Sequence, residues 1–98
     1  MTLRVTEEAL SDIGEASLWY DAQQSGLGSR IILEIDATLL RIEDGPLRYP
    51  VFYRGLRRAL VRRFPYAVYF HDEQHVVSVL AVLHQRRDTK VLNERLGC

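Results

Sequence analysis

The 98-residue chain provides enough sequence for one folded domain and too little for two hydrophobic cores, so we predict a single domain over residues 1–98. Hydrophobic residues make up 47% of it, and Gly and Pro are few, which excludes a disordered or collagen-like protein. Thirteen basic side chains balance thirteen acidic ones, and the one cysteine, Cys98, excludes an internal disulfide framework and a cysteine-based zinc site.

The first element in chain order is a short strand that leads into a helix. Leu3 and Val5 alternate with polar neighbours, which is the period-2 pattern of a half-buried strand. Thr6 occupies the position of a helix N-cap, and two glutamates follow it in the first turn. Apolar residues then recur every three or four positions, so we predict a helix that runs to about Gln24, before Gly26 breaks the pattern.

A second helix is predicted directly after the first. Ser29 is its expected N-cap, and the apolar residues from Ile31 to Ile42 fall on one stripe of the helical wheel. Gly45 and Pro46 end this pattern. Because the connection between the two helices is short, we expect them to form an antiparallel hairpin.

Three β-favouring segments follow the helices, at residues 59–61, 66–70 and 76–83. The short connections between them predict an antiparallel meander. The predicted fold class is therefore α+β. It consists of an N-terminal strand and an antiparallel two-helix hairpin packed on a C-terminal three-stranded antiparallel meander, with the first strand joining the sheet.

The last of these strands is apolar on both of its faces, which predicts a central strand that is covered on both sides. The helical hairpin accounts for one cover. For the other face two interpretations stay open. Either the polar-rich tail at residues 85–98 covers it, or an exchangeable segment of a partner protein does.

Nothing in the sequence indicates a membrane segment. The chain leads from Val5 almost directly into Glu7 and Glu8, which leaves no room for the apolar centre of a signal peptide. No apolar stretch approaches the roughly 18 residues that a spanning helix needs. We therefore expect a soluble, cytoplasmic protein with no membrane partner.

The charges are unevenly distributed along the chain. Residues 1–36 hold seven acidic side chains against Arg4 and Arg30, whereas residues 41–63 hold seven arginines against two acids. The planar guanidinium fork of arginine suits phosphates, carboxylates and aromatic faces. Two interpretations stay open, because these arginines either bind an anionic partner or pair with the acidic helices of their own chain.

Four segments carry a resemblance to a known family, in addition to the order of the predicted elements. They read Arg48-Tyr49-Pro50, Gly55-Leu56-Arg57-Arg58-Ala59, Arg62-Arg63-Phe64-Pro65-Tyr66-Ala67-Val68-Tyr69 and Val79-Leu80-Ala81-Val82-Leu83-His84-Gln85-Arg86-Arg87-Asp88. On these segments the chain resembles the ParE-like branch of the RelE/ParE superfamily of bacterial toxin–antitoxin toxins. The resemblance implies a toxin without a cofactor that is neutralised by a cognate antitoxin protein in a toxin–antitoxin hetero-oligomer.

The superfamily implies two different mechanisms. ParE-like members are regarded as inhibitors of DNA gyrase, and RelE-like members cleave messenger RNA on the ribosome. RelE-type sites resemble a cluster of cations that includes an Arg directly after the aromatic residue of the middle strand, with a Tyr near the C-terminus. Here that position is Ala67, and no Tyr follows Tyr69. A nuclease would have to work with an incomplete set of groups, namely His84, Arg63, Arg86 and Arg87.

We therefore predict a toxin that binds and inhibits a macromolecular target and is not an enzyme. The target-binding residues expected from the Arg-rich segments are Arg57, Arg58, Arg62, Arg63, Arg86 and Arg87. Two alternatives stay open: a ribosome-dependent mRNA endonuclease, and a non-toxic family member that retains antitoxin binding. A metal pair of His71 and His75 is disfavoured because no other residue completes a metal site.

The antitoxin is expected to bind the helical hairpin. Trp19 lies about 100° from Tyr20 on the helical wheel and so lies off the apolar stripe. It serves either as core at the edge of the hairpin or as an interface anchor. The antitoxin-binding residues predicted on the second interpretation are Leu18, Trp19 and Leu40.

Overall fold

A computed structural model describes residues 2–97; Met1 and Cys98, and with it the expectation about the cysteine, lie outside the described residues. The elements are β1 (Thr2–Val5), α1 (Glu7–Gln23), α2 (Leu27–Asp44), β2 (Val51–Tyr53), β3 (Leu56–Leu60), β4 (Tyr66–Glu73), β5 (Val76–His84) and α3 (Asp88–Arg95). The predicted strand, helical hairpin and three later strands are all present in this order. Strand β2 and helix α3 are elements that the sequence patterns did not indicate.

The strands of residues 2–97 form one sheet in the order β1-β5-β4-β3-β2. The predicted antiparallel meander of β3, β4 and β5 is confirmed. Strand β1 lies parallel to β5, so the sheet is mixed. Strand β2 was missed because it is only three residues long and pairs with β3 through a tight turn, in which Arg54 and Gly55 have positive φ angles of 49° and 84°.

Helix α1 begins as predicted. Thr6 is its N-cap, and the Thr6 hydroxyl accepts a hydrogen bond from the Ala9 amide at 3.2 Å. Glu7 and Glu8 lie in the first turn, where their charge favours the helix dipole. Ala9 and Ala16 are buried against the sheet, which confirms the apolar stripe.

Helix α2 begins three residues earlier than predicted, and Ser29 is not its N-cap. Gly26 is the cap, with a φ angle of 94° that favours glycine. The cap side chain comes from α1, because Asp21 Oδ1 accepts hydrogen bonds from the amides of Gly26 and Gly28 at 3.1 and 2.7 Å. A Cβ at Gly28 would lie 2.5 Å from the Ser17 carbonyl oxygen, so glycine is needed for this close contact between the helices.

Both faces of the sheet are covered, and each face has its own core. The hairpin packs on one face, where Ile31, Ile35 and Ile42 of α2 are fully buried with valines of β4 and β5. On the other face α3 inserts Leu92, which is fully buried beside Leu56 and Tyr69. Of the two interpretations for this face, the chain's own C-terminal segment is therefore correct. Within residues 2–97 no helix has both the length and the apolar content that crossing a membrane requires.

Candidate functional site

Four exposed arginines meet at one end of the sheet. Arg62 and Arg63 lie in the turn between β3 and β4, and Arg86 and Arg87 follow β5. The two segments are neighbours because Tyr66 pairs with His84 in the ladder, and the Gln85 amide donates to the Pro65 carbonyl at 3.0 Å. We call these four residues the basic end. One of its arginines has an acidic neighbour in α2: Arg63 Nε lies 3.7 Å from Glu34 Oε2, and the Arg63 side chain is 72% exposed.

Arg57 and Arg58 do not join the basic end. They are neighbours in β3, so their side chains point to opposite faces of the sheet. Arg57 donates to the Tyr49 carbonyl. Arg58 stacks on the ring of Phe52, with its Cζ 3.9 Å from the ring centroid, and its Nη1 lies 3.6 Å from Asp88 Oδ2. Both half-buried side chains therefore already have partners within the chain.

A buried polar cluster fixes the start of α3. Tyr69 donates its hydroxyl proton to Asp88 Oδ2 at 2.8 Å, in a buried contact. Asp88 Oδ1 accepts from the Thr89 amide. Burial first, and Asp88 next, raise the pKa of Tyr69 well above its usual range. No sequence pattern indicated this cluster, because Tyr69 and Asp88 are 19 residues apart and belong to different elements.

His84 lies in a group of aromatic side chains beside the basic end. Its ring packs edge-on against the Tyr66 ring, with the two ring centroids 5.5 Å apart, and the Tyr66 and Tyr20 ring centroids are 6.0 Å apart. Tyr20 contacts Trp19 at 4.9 Å and Phe64 at 5.0 Å. Burial is the main cause that raises the pKa of Tyr66 above its usual value.

The residues proposed for a nuclease lie at the same end of the sheet, and one of them, His84, has a structural contact in the turn after β5. His84 Nδ1 accepts a hydrogen bond from the Arg86 amide at 3.1 Å and caps the short helical turn Gln85–Arg87. Ala67 is fully buried in the α3-side core. Among residues 2–97 no group of three or more His, Cys, Asp or Glu is arranged to hold a metal ion, and this range includes His71 and His75.

A cavity of about 710 Å³ forms a groove between α1 and α3 at the β5 side of the sheet. We call it the α1–α3 groove. Its lining residues are Glu8, Ser11, Asp12, Glu15, Ala16, Trp19 and Tyr20 of α1, Tyr66, Val82, Leu83 and His84 of the sheet, and Arg87, Val91, Glu94 and Arg95 of the C-terminal segment.

An ion pair crosses this groove and joins α1 to α3. Arg95 donates from Nη1 and Nη2 to the two carboxylate oxygens of Asp12, both at 2.6 Å. Asp12 Oδ2 also accepts from the Val82 amide at 2.9 Å, and Arg95 Nη1 donates to the Leu80 carbonyl at 3.1 Å. The hydrogen bond with Asp12 is the main cause that raises the pKa of Arg95. Sequence reasoning missed this pair, although Asp12 lies on the buried stripe between Ala9 and Ala16.

The structure separates the three residues predicted to bind the antitoxin. Trp19 is 57% exposed, so it is not a core residue, and its side chain lines the α1–α3 groove. Leu18 and Leu40 are 75% and 66% exposed on the outer face of the hairpin, opposite the buried stripes. Gly28 of α2 lies beside Ser17 of α1, and Ser17 is next to Leu18. Leu40 lies twelve residues further along α2, so it is about 18 Å from Leu18 along the helix axis.

Comparisons with protein families and with solved structures both find similar proteins. The model of the family described as ParE toxin of the type II toxin–antitoxin system parDE matches residues 3–89. A chain from a solved structure of the chromosomal ParDE TA system from P. aeruginosa superposes with a TM-score of 0.78 at 16% sequence identity. The match covers 86% of this chain and 95% of that chain, and it shows a shared fold. No curated protein sequence matches.

Proposed function

The chain belongs to the ParE toxin family of type II toxin–antitoxin systems, and we propose that it binds and inhibits a macromolecular target through the basic end. By family resemblance the proposed target is DNA gyrase in the cytoplasm. A cognate antitoxin is the proposed inhibitor of the toxin.

The observation that supports target binding is the exposure of all four arginines of the basic end on adjoining turns. Arginine forks bind carboxylates and phosphates in a bidentate way, which suits an anionic protein or nucleic-acid surface. Arg57 and Arg58 are left out of this proposal, because their internal contacts give them a structural role. The sequence-based set of six is thus reduced to four.

Two observations support inhibition by binding in preference to RNA cleavage. Ala67 offers no cation where the nuclease pattern has one, and it is buried in the core. His84 Nδ1 already accepts a backbone hydrogen bond, so one of its two ring nitrogens is occupied. Losing a charge-stabilising group costs about 10²–10³ in rate, and losing a general acid or base about 10²–10⁴. The nuclease with His84, Arg63, Arg86 and Arg87 remains the alternative.

Trp19 is the proposed anchor for the antitoxin. It is the only tryptophan of the chain, and it is half exposed on the wall of a groove. Aromatic side chains in such positions are frequent centres of binding energy. Leu18 and Leu40 are proposed as secondary contacts on the outer face. We expect Trp19→Ala to weaken antitoxin binding by more than about tenfold, whereas a loss below threefold would remove the anchor assignment.

Inducible expression of the protein without antitoxin tests the proposed function. Inhibition of gyrase predicts filamentous cells with a DNA-damage response, and mRNA cleavage predicts arrested translation with cut transcripts. Replacing the four arginines of the basic end by glutamine should abolish toxicity, and replacing the exposed Arg4 and Arg30 should not. Translation arrest that His84→Ala abolishes would support the nuclease, and full growth despite folded protein would support the non-toxic alternative.

A further inference from the structure

One leucine of the sheet is exposed beside the basic end. Leu60 is the last residue of β3, and it is 53% exposed. It lies two positions after Arg58, so it points to the face of the sheet that α3 covers. Leu60 pairs with Ala67 of β4, and Ala67 pairs with Leu83 of β5. Because Ala67 and Leu83 are both buried in the α3-side core, Leu60 extends this apolar row to the surface.

Leu60 is exposed because the elements that cover its neighbours end before they reach it. Strand β2 pairs with β3 at Leu56 and Arg57, and not at Leu60. Helix α3 begins beside Arg58 and ends at the Leu80 carbonyl of β5, which lies two strands away from β3. The part of the chain that the structure describes therefore leaves Leu60 uncovered.

Arginines without an ion-pair partner lie beside Leu60. Arg62 follows it by two residues, in the turn that leaves β3. Arg86 follows Leu83 by three residues, and Leu83 lies two strands, or about 10 Å, from Leu60. Among residues 2–97, no acidic side chain forms an ion pair with Arg62, Arg86 or Arg87. An apolar side chain therefore lies next to three cations that a partner can neutralise.

The chemistry of this surface fits a protein partner better than a nucleic acid. Single-stranded nucleic acids bind to exposed aromatic side chains on which their bases stack, and duplexes bind mainly to cations that contact phosphates. On this face Tyr69 is buried, and the guanidinium of Arg58 covers the Phe52 ring. Leu60 is aliphatic and offers no ring for stacking. An apolar centre with arginines around it is typical of a protein interface.

The position of Leu60 indicates which protein partner covers it. Leu60 adjoins the basic end, so one bound surface covers both. The proposed antitoxin anchor, Trp19, belongs to α1, which packs on the opposite face of the sheet. The inhibited target is therefore the partner to which this surface belongs. An acidic target surface around an apolar pocket complements both the charge of the arginines and the shape of the leucine.

We propose that Leu60 is the apolar anchor of the target-binding surface, and that the target is recognised through an acidic protein surface with an apolar pocket. The pocket receives the Leu60 side chain, and carboxylates around the pocket pair with Arg62, Arg86 and Arg87. This inference rests on the proposed function, because it concerns the same surface. It adds the anchor residue and the class of partner, which is a protein and not a nucleic acid.

Substitutions of Leu60 test the proposal by the binding of the full chain to purified gyrase in the absence of DNA. Leu60→Ala should weaken binding about tenfold, because the half-exposed leucine loses the burial that it gains in the complex. Leu60→Arg should weaken it further, because the pocket would have to bury a charge. The loss should persist at high salt, which screens charges but does not weaken apolar burial. Thermal unfolding of both variants should stay close to that of the native protein, as for other exposed side chains.

Val51→Arg is the matched control for Leu60→Arg. Val51 lies in a strand and is 57% exposed, but it pairs with Arg57 and so points to the hairpin face. Both substitutions add the same positive charge to the protein. We expect Val51→Arg to change the binding of gyrase by less than about threefold. Equal effects of the two variants would overturn the proposal, and so would unchanged binding of gyrase by the Leu60→Arg variant.

Binding to a short DNA duplex separates a protein partner from a nucleic acid. An added cation preserves or strengthens binding to phosphates, so the Leu60→Arg variant should bind the duplex at least as tightly as the native protein does. We expect the native protein to bind gyrase more tightly than the duplex. The reverse order, with toxicity that survives Leu60→Arg, would assign the surface to a nucleic acid and overturn the proposal. Self-association that Leu60→Arg abolishes would assign the surface to a second copy and overturn it as well.

The outcomes for the anchor and for the proposed function can be distinguished. A toxin that stops growth without binding gyrase, and that loses toxicity with Leu60→Arg but not with Val51→Arg, retains the anchor and loses gyrase as the target. A toxin that inhibits gyrase equally well with Leu60→Arg retains the proposed function and loses the anchor.

Discussion

The two faces of the sheet are covered in different ways. On the hairpin face two helices of 17 and 18 residues bury a continuous set of alanines, isoleucines and valines. On the other face an eight-residue helix contributes one fully buried leucine, and polar contacts hold it at both ends. The first face depends on many interchangeable apolar contacts, and the second depends on a few groups that must be correctly oriented. Loss of one polar group on the second face should therefore destabilise mainly the short helix α3 that this group holds in place.

The largest expected effect comes from the hairpin-side core. Ile35 of α2 is fully buried, and Ile35→Ala should lower the free energy of unfolding by about 2–5 kcal/mol through lost transfer energy and a cavity. Urea denaturation followed by Trp19 fluorescence measures this. Leu33→Ala is the matched control on the same helix, because Leu33 is 67% exposed and should change stability by less than about 0.5 kcal/mol. Similar losses for the two variants would contradict the assignment of this core.

The ion pair that joins the two layers should give the next largest effect. Asp12→Asn removes the charge opposite Arg95 and weakens the contact with the Val82 amide. Breaking a buried pair costs about 3–5 kcal/mol, and the partial exposure of Arg95 reduces our expectation to about 2–3 kcal/mol. The same urea titration applies, with the exposed Glu7→Gln as control. A loss no greater than that of the control would show that the pair is not a joint between α1 and α3.

The polar cluster at the start of α3 should give a smaller and more local effect. Asp88→Asn weakens the contacts with Tyr69 and Arg58, and we expect a loss of about 1–2 kcal/mol. Amide hydrogen exchange should show faster exchange at Leu92 and little change at Ile35. Equal acceleration at both amides would mean that α3 does not open separately from the hairpin face.

The pH dependence of stability should give the smallest effect. The folded protein raises the pKa of Tyr69, so the unfolded chain releases this proton first as pH rises. The stability that Tyr69 contributes is complete below the unfolded pKa of about 10 and is lost above it. Tyr69→Phe should cost about 1 kcal/mol at neutral pH, and its difference from the native protein should narrow above pH 10. If the difference in unfolding free energy between the two proteins stayed constant above pH 10, ionisation of Tyr69 would not contribute to alkaline unfolding.

Sequence reasoning predicted the hairpin face well and the α3 face poorly, for a physical reason. A 3.6-residue apolar period over 17 or 18 residues is a local signal, and a helix cap such as Thr6 is local as well. Helix α3 has eight residues and few apolar ones, so it has no comparable signal. Its position depends on contacts between residues far apart in the chain, such as Asp12 with Arg95, which no local pattern reveals.

The same distinction applies to the candidate site. The sequence identified all four arginines of the basic end, because their density along the chain is visible. It also included Arg57 and Arg58, whose internal partners Tyr49 and Phe52 become apparent only when the strands are paired. The α1–α3 groove was not predicted, since it forms where α1, β5 and α3 meet.

The central claim is that the basic end inhibits the target by binding, while Arg57 and Arg58 serve the structure. The direct test is DNA supercoiling by purified gyrase in the presence of the toxin. We predict inhibition by the native protein and loss of at least about tenfold in potency when all four arginines of the basic end become lysine, because lysine lacks the planar fork. Thermal unfolding should be nearly unchanged in that variant. Inhibition that survives the four substitutions, or no inhibition of gyrase by the native protein, would contradict the account.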